Sequence, residues 1–165
     1  MGVEMHGQYK DCKALLPIAA LALLALNGCS RSKEPAMIVE MCLGDQKGLR
    51  LFIETMRQIA STEHMTFIDN SAKTQRELDV VGQSNINESQ DAHVLNIGIE
   101  GDDGLGVTAG NLGLARYQVA LGFTKGSSDT EGSQFADVVV RELRTKWMVT
   151  RVPAGKAAMR ASGCD

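Results

Sequence analysis

This chain of 165 residues has few aromatic side chains and no excess of positive charge. The chain has one Trp, two Tyr and four Phe, and its formal net charge is −3. Proteins that bind nucleic acid carry clustered positive charge, and platforms that stack bases need several exposed rings. The composition therefore argues against nucleic acid as a partner, and the few rings are equally thin for stacking carbohydrate.

Recognisable catalytic motifs are also missing. The chain lacks Gly-x-Ser-x-Gly, His-Glu-x-x-His and a Walker loop. The glycine-rich stretch 101–106 lies between predicted strands, whereas a phosphate cradle needs a helix N-terminus behind it, so we interpret it as a turn. Glu100, Asp102 and Asp103 offer oxygens that suit calcium, but the EF-hand spacing is absent and calcium needs six or more oxygens. We therefore assign no catalytic residue and predict neither a metal nor a cofactor.

The longest apolar run, Leu15 to Leu26, is too short to span a bilayer. A membrane-spanning helix needs about 20 consecutive apolar residues, and this run has roughly a dozen. Two basic residues, Lys10 and Lys13, precede the run, and small or polar residues follow it. This arrangement is typical of a cleaved signal peptide.

The four residues that close this run, Leu26-Asn27-Gly28-Cys29, resemble the lipobox of bacterial lipoproteins. The resemblance implies cleavage after Gly28 and acylation of Cys29, which becomes the mature N-terminus. In lipoproteins of enteric type, Ser30 after that cysteine implies the outer membrane, with the protein facing the periplasm. An ordinary secreted protein and an uncleaved inner-membrane anchor are the alternatives, and the translation start is open between Met1 and Met5.

The same resemblance divides the chain into three parts. Residues 1–28 are the expected signal peptide, residues 29–36 the acylated cysteine with a short polar tether, and residues 37–165 a single extracytoplasmic domain of ordinary length. The seven residues from Ser30 to Ala36 reach at most about 25 Å when extended. We therefore expect the domain to sit close to the membrane surface.

Two cysteines are left for the domain once the signal is subtracted. Cys12 leaves with the signal peptide and Cys29 receives the lipid, so Cys42 and Cys164 are an even pair in an oxidising compartment. We predict a disulfide that ties the C-terminal tail to the first strand. The alternative is a buried thiol at Cys42 and a free thiol in the tail.

Hydrophobic periodicity predicts an α+β domain. Apolar residues alternate in five or six short segments and recur with helical spacing in two longer ones. Ser128 and Glu131 also have capping-box spacing at the start of the second helix. We expect a two-layer sandwich with a mostly antiparallel sheet under two main amphipathic helices, a relative of the ferredoxin-like fold with extra strands. The predicted strands are 37–43, 66–68, 93–100, 105–109, 116–123 and 147–152; the helices are 46–63, a short one at 74–81, and 128–146; Gly82–Asp91 is a loop, and the tail is 153–165.

Two histidines in the domain, His64 and His93, are the candidates for acid–base chemistry. They would act together with Asp69 or Ser71 if the fold brought these groups within hydrogen-bond reach. His64 is also predicted at a helix C-terminus, where a cation is favoured by the helix dipole. Most such histidines have a structural role or are solvated, and this is the alternative to a catalytic role.

Charge is unevenly distributed along the domain. Nine acidic residues fall between Glu63 and Asp103, against Lys73 and Arg76. The segment 141–160 instead holds six basic residues against Glu142. We single out four of them as a possible binding surface for anionic lipid headgroups, a cell-wall polymer or an acidic protein: Arg141, Arg144, Lys146 and Arg151. The alternative is that these residues complete the last helical turn and coat a solvated face.

The sequence therefore favours a lipid-anchored binding protein of the cell envelope that does not catalyse a reaction. Its expected partners are the membrane, through the N-terminal lipid, and a protein of the envelope, for which it would act as adaptor, assembly factor or periplasmic inhibitor. The alternative is a small envelope hydrolase that uses His64 and His93 with nearby carboxylates.

Overall fold

The part of the chain that the computed structural model describes, residues 36–80 and 94–164, forms six strands and three α-helices. The predictions on the signal peptide, Cys29, the loop Gly82–Asp91 and His93 lie outside these residues. The elements in chain order are β1 (Met37–Cys42), α1 (Gln46–Thr62), β2 (Thr66–Asp69), α2 (Ser71–Val80), β3 (Asn96–Glu100), β4 (Leu105–Gly110), β5 (Gln118–Lys125), α3 (Asp129–Arg144) and β6 (Thr150–Arg151).

The strands form one sheet in the order β2-β3-β4-β5-β1-β6, and every neighbouring pair is antiparallel. The predicted α+β sandwich is therefore confirmed. Within it, β1, α1, β4, β5, α3 and β6 follow the β-α-β-β-α-β order of ferredoxin-like folds, with β4, β5, β1 and β6 side by side. The strands β2 and β3 extend the sheet beyond β4.

One face of the sheet carries the core. Val39, Leu121 and Phe123 alternate with less buried neighbours along their strands and are at most 2% exposed. The helices α1 and α3 cover this face, α1 over β2 and β3 and α3 over β4 and β5. The side-chain period of two along each strand and 3.6 along each helix gives both layers one apolar side.

Side chains cap both long helices at their N-termini, where the first backbone N–H groups lack helical partners. Asp45 Oδ1 accepts a hydrogen bond from Gly48 N at 2.7 Å, and Ser128 Oγ accepts one from Glu131 N at 3.3 Å. The predicted capping serine of α3 is thereby confirmed. Gly132 follows in the first turn of α3, and a Cβ placed there would lie 2.6 Å from Lys125 Cα, so α3 approaches β5 closely only because this residue is glycine.

The structure corrects several predicted boundaries near the C-terminus. The helix predicted to reach Lys146 ends at Arg144, because Lys146 N and Trp147 N both donate to Leu143 O in a closing turn. This turn shortens the strand predicted over 147–152 to Thr150–Arg151. The strand predicted from Arg116 begins at Gln118.

Three further corrections concern the short helix α2, the third strand and the buried stripe of α3. The helix begins at Ser71 rather than 74, since Asp69 Oδ1 accepts from Ser71 N at 3.0 Å and starts it. The strand predicted from 93 is β3, which begins at Asn96. The apolar spacing of α3 predicts a buried stripe of Phe135, Val138, Val139 and Leu143, but Val138 is only half-buried, and Val140 is buried.

The C-terminal tail is fastened to the ends of β1 and β5. A disulfide joins Cys42 to Cys164, with 5.4 Å between their Cα atoms, which confirms the predicted pair. Beside it, Gln118 is buried at 1% exposure, and its Nε2 donates to Met159 O at 2.7 Å while its Oε1 accepts from Ala161 N at 2.8 Å. The tail therefore satisfies the buried amide that the strand presents to it.

None of the helices in the described ranges is both long enough and apolar enough to cross a membrane.

Candidate functional site

The two ends of the sheet differ in the groups that they present. We call the end where β1 begins the Met37 end and the opposite end the Cys42 end. Strand register places Lys125, Leu105 and Glu100 at the Met37 end. The helix α1 ends there and α3 begins there, because each connects to a strand at that end.

A hollow with a volume of about 780 Å³ lies at the Met37 end. Three chain segments form its walls: the turn between α1 and β2, the turn between β3 and β4, and the segment from Ser127 into α3. We call it the acidic hollow, after the five carboxylates that line it: Glu63, Glu100, Asp102, Asp103 and Glu131.

The floor between these carboxylates is apolar. Phe135 is buried, and Met65, Leu105 and Val138 are half-buried in the lining. The half-burial of Val138, which differs from its predicted core position, follows from its place on this wall. A concave surface with an apolar floor and charged rim combines the two features that anchor a partner segment.

His64 lies on the rim of the hollow and closes α1. Its backbone is left-handed, with φ 56°. The flanking hydrogen bonds, His64 N to Ser61 O at 3.3 Å and Met65 N to Ala60 O at 2.8 Å, are those of a Schellman motif, in which this position usually holds glycine. The backbone role of His64 is therefore to end the helix, in line with its predicted place at a helix C-terminus.

The structure does not bring His64 together with its predicted catalytic partners. Asp69 is the last residue of β2 and Ser71 begins α2, so both lie at the end of this strand opposite to His64. There, Asp69 accepts from Ser71 N, and Ser71 Oγ accepts from Asn96 N at 3.0 Å. The Ser71 side chain thus fastens α2 to the start of β3, whereas the Asp69 side chain bonds the first residue of α2. His93 lies outside the described residues.

The turn between β3 and β4 carries Asp102 and Asp103, two of the acidic residues whose oxygens would suit calcium. Asp103 has a left-handed backbone, with φ 58°, and its Oδ2 accepts a hydrogen bond from Ser127 Oγ at 3.4 Å. Within residues 36–80 and 94–164, no three His, Cys, Asp or Glu side chains are grouped closely enough to hold a metal ion.

The four basic residues predicted as a binding surface lie on the end of α3, just after it and on β6. Arg141 and Arg144 are exposed on the last turns of α3, toward the Cys42 end, and Lys146 follows them with its Nζ 2.6 Å from Glu142 Oε1. Arg151 lies on β6 and lines a separate hollow of about 180 Å³ near Met37. The first three therefore lie at the C-terminal end of α3, and the fourth lies beside earlier residues of the same helix, Ser133 and Asp137.

Sequence reasoning did not assemble the acidic hollow, because its carboxylates come from three segments far apart in the chain. The excess of acids between Glu63 and Asp103 was a signal for part of it. Nothing in the sequence pattern placed Glu131, on α3, beside them. Glu131 joins the other carboxylates in this lining because α3 begins at the end of the sheet where α1 ends.

No protein-family model and no curated protein matches this chain. A functional assignment therefore rests on its own residues and their geometry.

Proposed function

We propose that this chain is a lipid-anchored binding protein of the bacterial cell envelope and that it does not catalyse a reaction. The observation that carries the proposal is the lipobox-like segment Leu26-Asn27-Gly28-Cys29 after an apolar run of signal-peptide length. The Cys42–Cys164 disulfide is in keeping with it, since such bonds persist in oxidising compartments.

A lipid on Cys29 would hold the Met37 end near the bilayer. Ala36 N donates to Phe123 O at 2.8 Å, so the sheet is hydrogen-bonded from this residue onward. Ala36 follows Cys29 by seven residues in the chain, a distance of at most about 25 Å when extended. Partners would therefore be found at, or diffuse to, the membrane surface.

A binding role is better supported than the hydrolase alternative. His64 ends α1 through its backbone, and Asp69 and Ser71 start α2 at the other end of β2. A hydrolase would need an acid and a base within about 3 Å of a reacting group. The acidic hollow instead offers carboxylates beside apolar side chains, which suits recognition of a partner.

The anchoring is tested by metabolic labelling with an alkyne fatty acid in a bacterial host. We expect the label on the wild-type chain and on the matched Cys12→Ser variant, and none on Cys29→Ser. The first two should fractionate with membranes. Label that persists in Cys29→Ser, or an unlabelled wild-type chain, would contradict the proposal.

A further inference from the structure

We propose that the acidic hollow is the docking site for a basic, amphipathic segment of a partner protein. This inference deepens the proposed binding function, on which it rests, by naming the surface and the chemistry of the partner. It is carried by the charge of the hollow, by its apolar floor and by its place on the domain.

The charge of the hollow is unbalanced. Five carboxylates line it, without any Lys or Arg in the lining, and none of the five forms an ion pair with a described residue. Other surface acids of the described ranges do pair, such as Glu54 with Arg57, Glu77 with Lys73 and Asp129 with Lys125. Like charges gathered in a concave site concentrate a negative potential, which attracts cationic groups.

The apolar floor specifies more than a cation. Leu105, Met65 and Val138, which are half-buried, and Phe135, which is buried, line the same hollow as the carboxylates. A hydrated metal ion or a polyamine would leave this surface uncovered. A segment with both Lys or Arg and apolar side chains would neutralise the rim and cover the floor together, as interface anchors do.

The position of the hollow limits where the partner is found. It opens at the Met37 end, where the tether joins β1. Under the proposed anchoring, this end lies within about 25 Å of the bilayer. Anionic headgroups would be repelled by the carboxylates, so the expected occupant is a protein segment at the membrane surface and not the lipid itself.

The test is a binding titration with the full chain in a neutral detergent at low ionic strength. The probe is a short synthetic peptide that alternates leucine and lysine. Two matched peptides replace either every lysine by glutamate or every leucine by serine. Spermine and calcium chloride are titrated separately as cations without an apolar side. We expect the leucine–lysine peptide to bind most tightly and to weaken as salt is raised.

The decisive variant is Glu100→Gln, Asp103→Asn and Glu131→Gln combined. Each change removes a charge but keeps a local role, since Asn tolerates the left-handed backbone at 103 and Gln retains the capping-box position at 131. The matched control removes three charges elsewhere, with Glu54→Gln, Glu77→Gln and Asp79→Asn. Equal urea midpoints for the three proteins would show that each folds.

We expect the hollow variant to bind the peptide about tenfold more weakly, from three partly exposed ion pairs, and the control variant to bind like the wild type. Equal binding by the two variants would overturn the proposal, as would no peptide binding by the wild type. Spermine or calcium binding as tightly as the peptide would also overturn it, by making the hollow a simple cation site. A lipidation failure at Cys29 would leave this titration readable, because binding is measured without a membrane.

Discussion

Removal of the disulfide between Cys42 and Cys164 tests how the C-terminal tail stabilises the sheet. The two cysteines are 122 residues apart in sequence. In the chain-entropy model, a cross-link over a loop of this length lowers the entropy of the unfolded chain. This raises the free energy of unfolding by about 5 kcal/mol. Measured losses on removing native disulfides are typically about 2–5 kcal/mol.

The structure adds a local contribution to this figure. The tail supplies Met159 O and Ala161 N to the buried Gln118, and Cys164 O to Tyr117 N at 3.0 Å. A tail that detached would leave the Gln118 amide without two partners, each worth about 1 kcal/mol. We therefore expect Cys42→Ser with Cys164→Ser to lower the free energy of unfolding by about 3–5 kcal/mol.

Urea unfolding of the full chain, followed by circular dichroism, measures this loss. Wild type treated with a reductant should approach the double serine variant, and the variant itself should not respond to the reductant. Hydrogen exchange should show the largest change at the Tyr117 and Ala161 amides. A loss below about 0.5 kcal/mol, which is within the range of neutral surface changes, would refute the argument that the disulfide and tail stabilise the sheet.

Three further substitutions test the packing and the helix ends, each by its urea midpoint. His64→Gly should stabilise the fold by about 1 kcal/mol, because it relieves a left-handed backbone in a Schellman motif, and destabilisation would contradict that role. Leu121→Ala, at a fully buried position, should lower the free energy of unfolding by about 2–5 kcal/mol. The control Leu51→Ala, at a side chain 45% exposed, should lower it by less than about 0.5 kcal/mol. Equal losses would show that Leu121 is not in the core. Gly132→Ala should lower the free energy of unfolding by about 1–3 kcal/mol, because the new Cβ would lie 2.6 Å from Lys125 Cα. This loss should exceed the gain from the higher helix propensity of alanine. A stabilised variant would show that α3 does not approach β5 so closely.

The two long helices and the central strands were predictable from the sequence because each has a clear hydrophobic period. Leu49, Phe52 and Met56 recur with helical spacing and are buried on α1. Alternation in β1 and β5 likewise placed Val39 and Leu121 in the core. Local periodicity is enough for these elements, since each buries one face on a shared core.

The order of strands and the surfaces that depend on it are less accessible from sequence. Arg144 and Arg151 are seven residues apart in sequence, but α3 runs toward the Cys42 end and β6 runs back, so one lies at the end of a helix and the other on an edge strand. The acidic hollow arises for the complementary reason, because Glu63, Asp103 and Glu131 come from distant segments that turn at one end of the sheet. Periodicity describes a single element and carries no information on which turns meet.

The central claim, a binding protein that acts at the membrane surface, is tested most directly by site-specific cross-linking in intact cells. A photo-reactive amino acid replaces Gln134, which lines the acidic hollow, and in a control replaces Gln75 on α2, away from it. We predict one dominant adduct in the membrane fraction from position 134, containing a partner protein with a basic segment, and none from position 75. Equal labelling from both positions, or no adduct from position 134, would contradict the account.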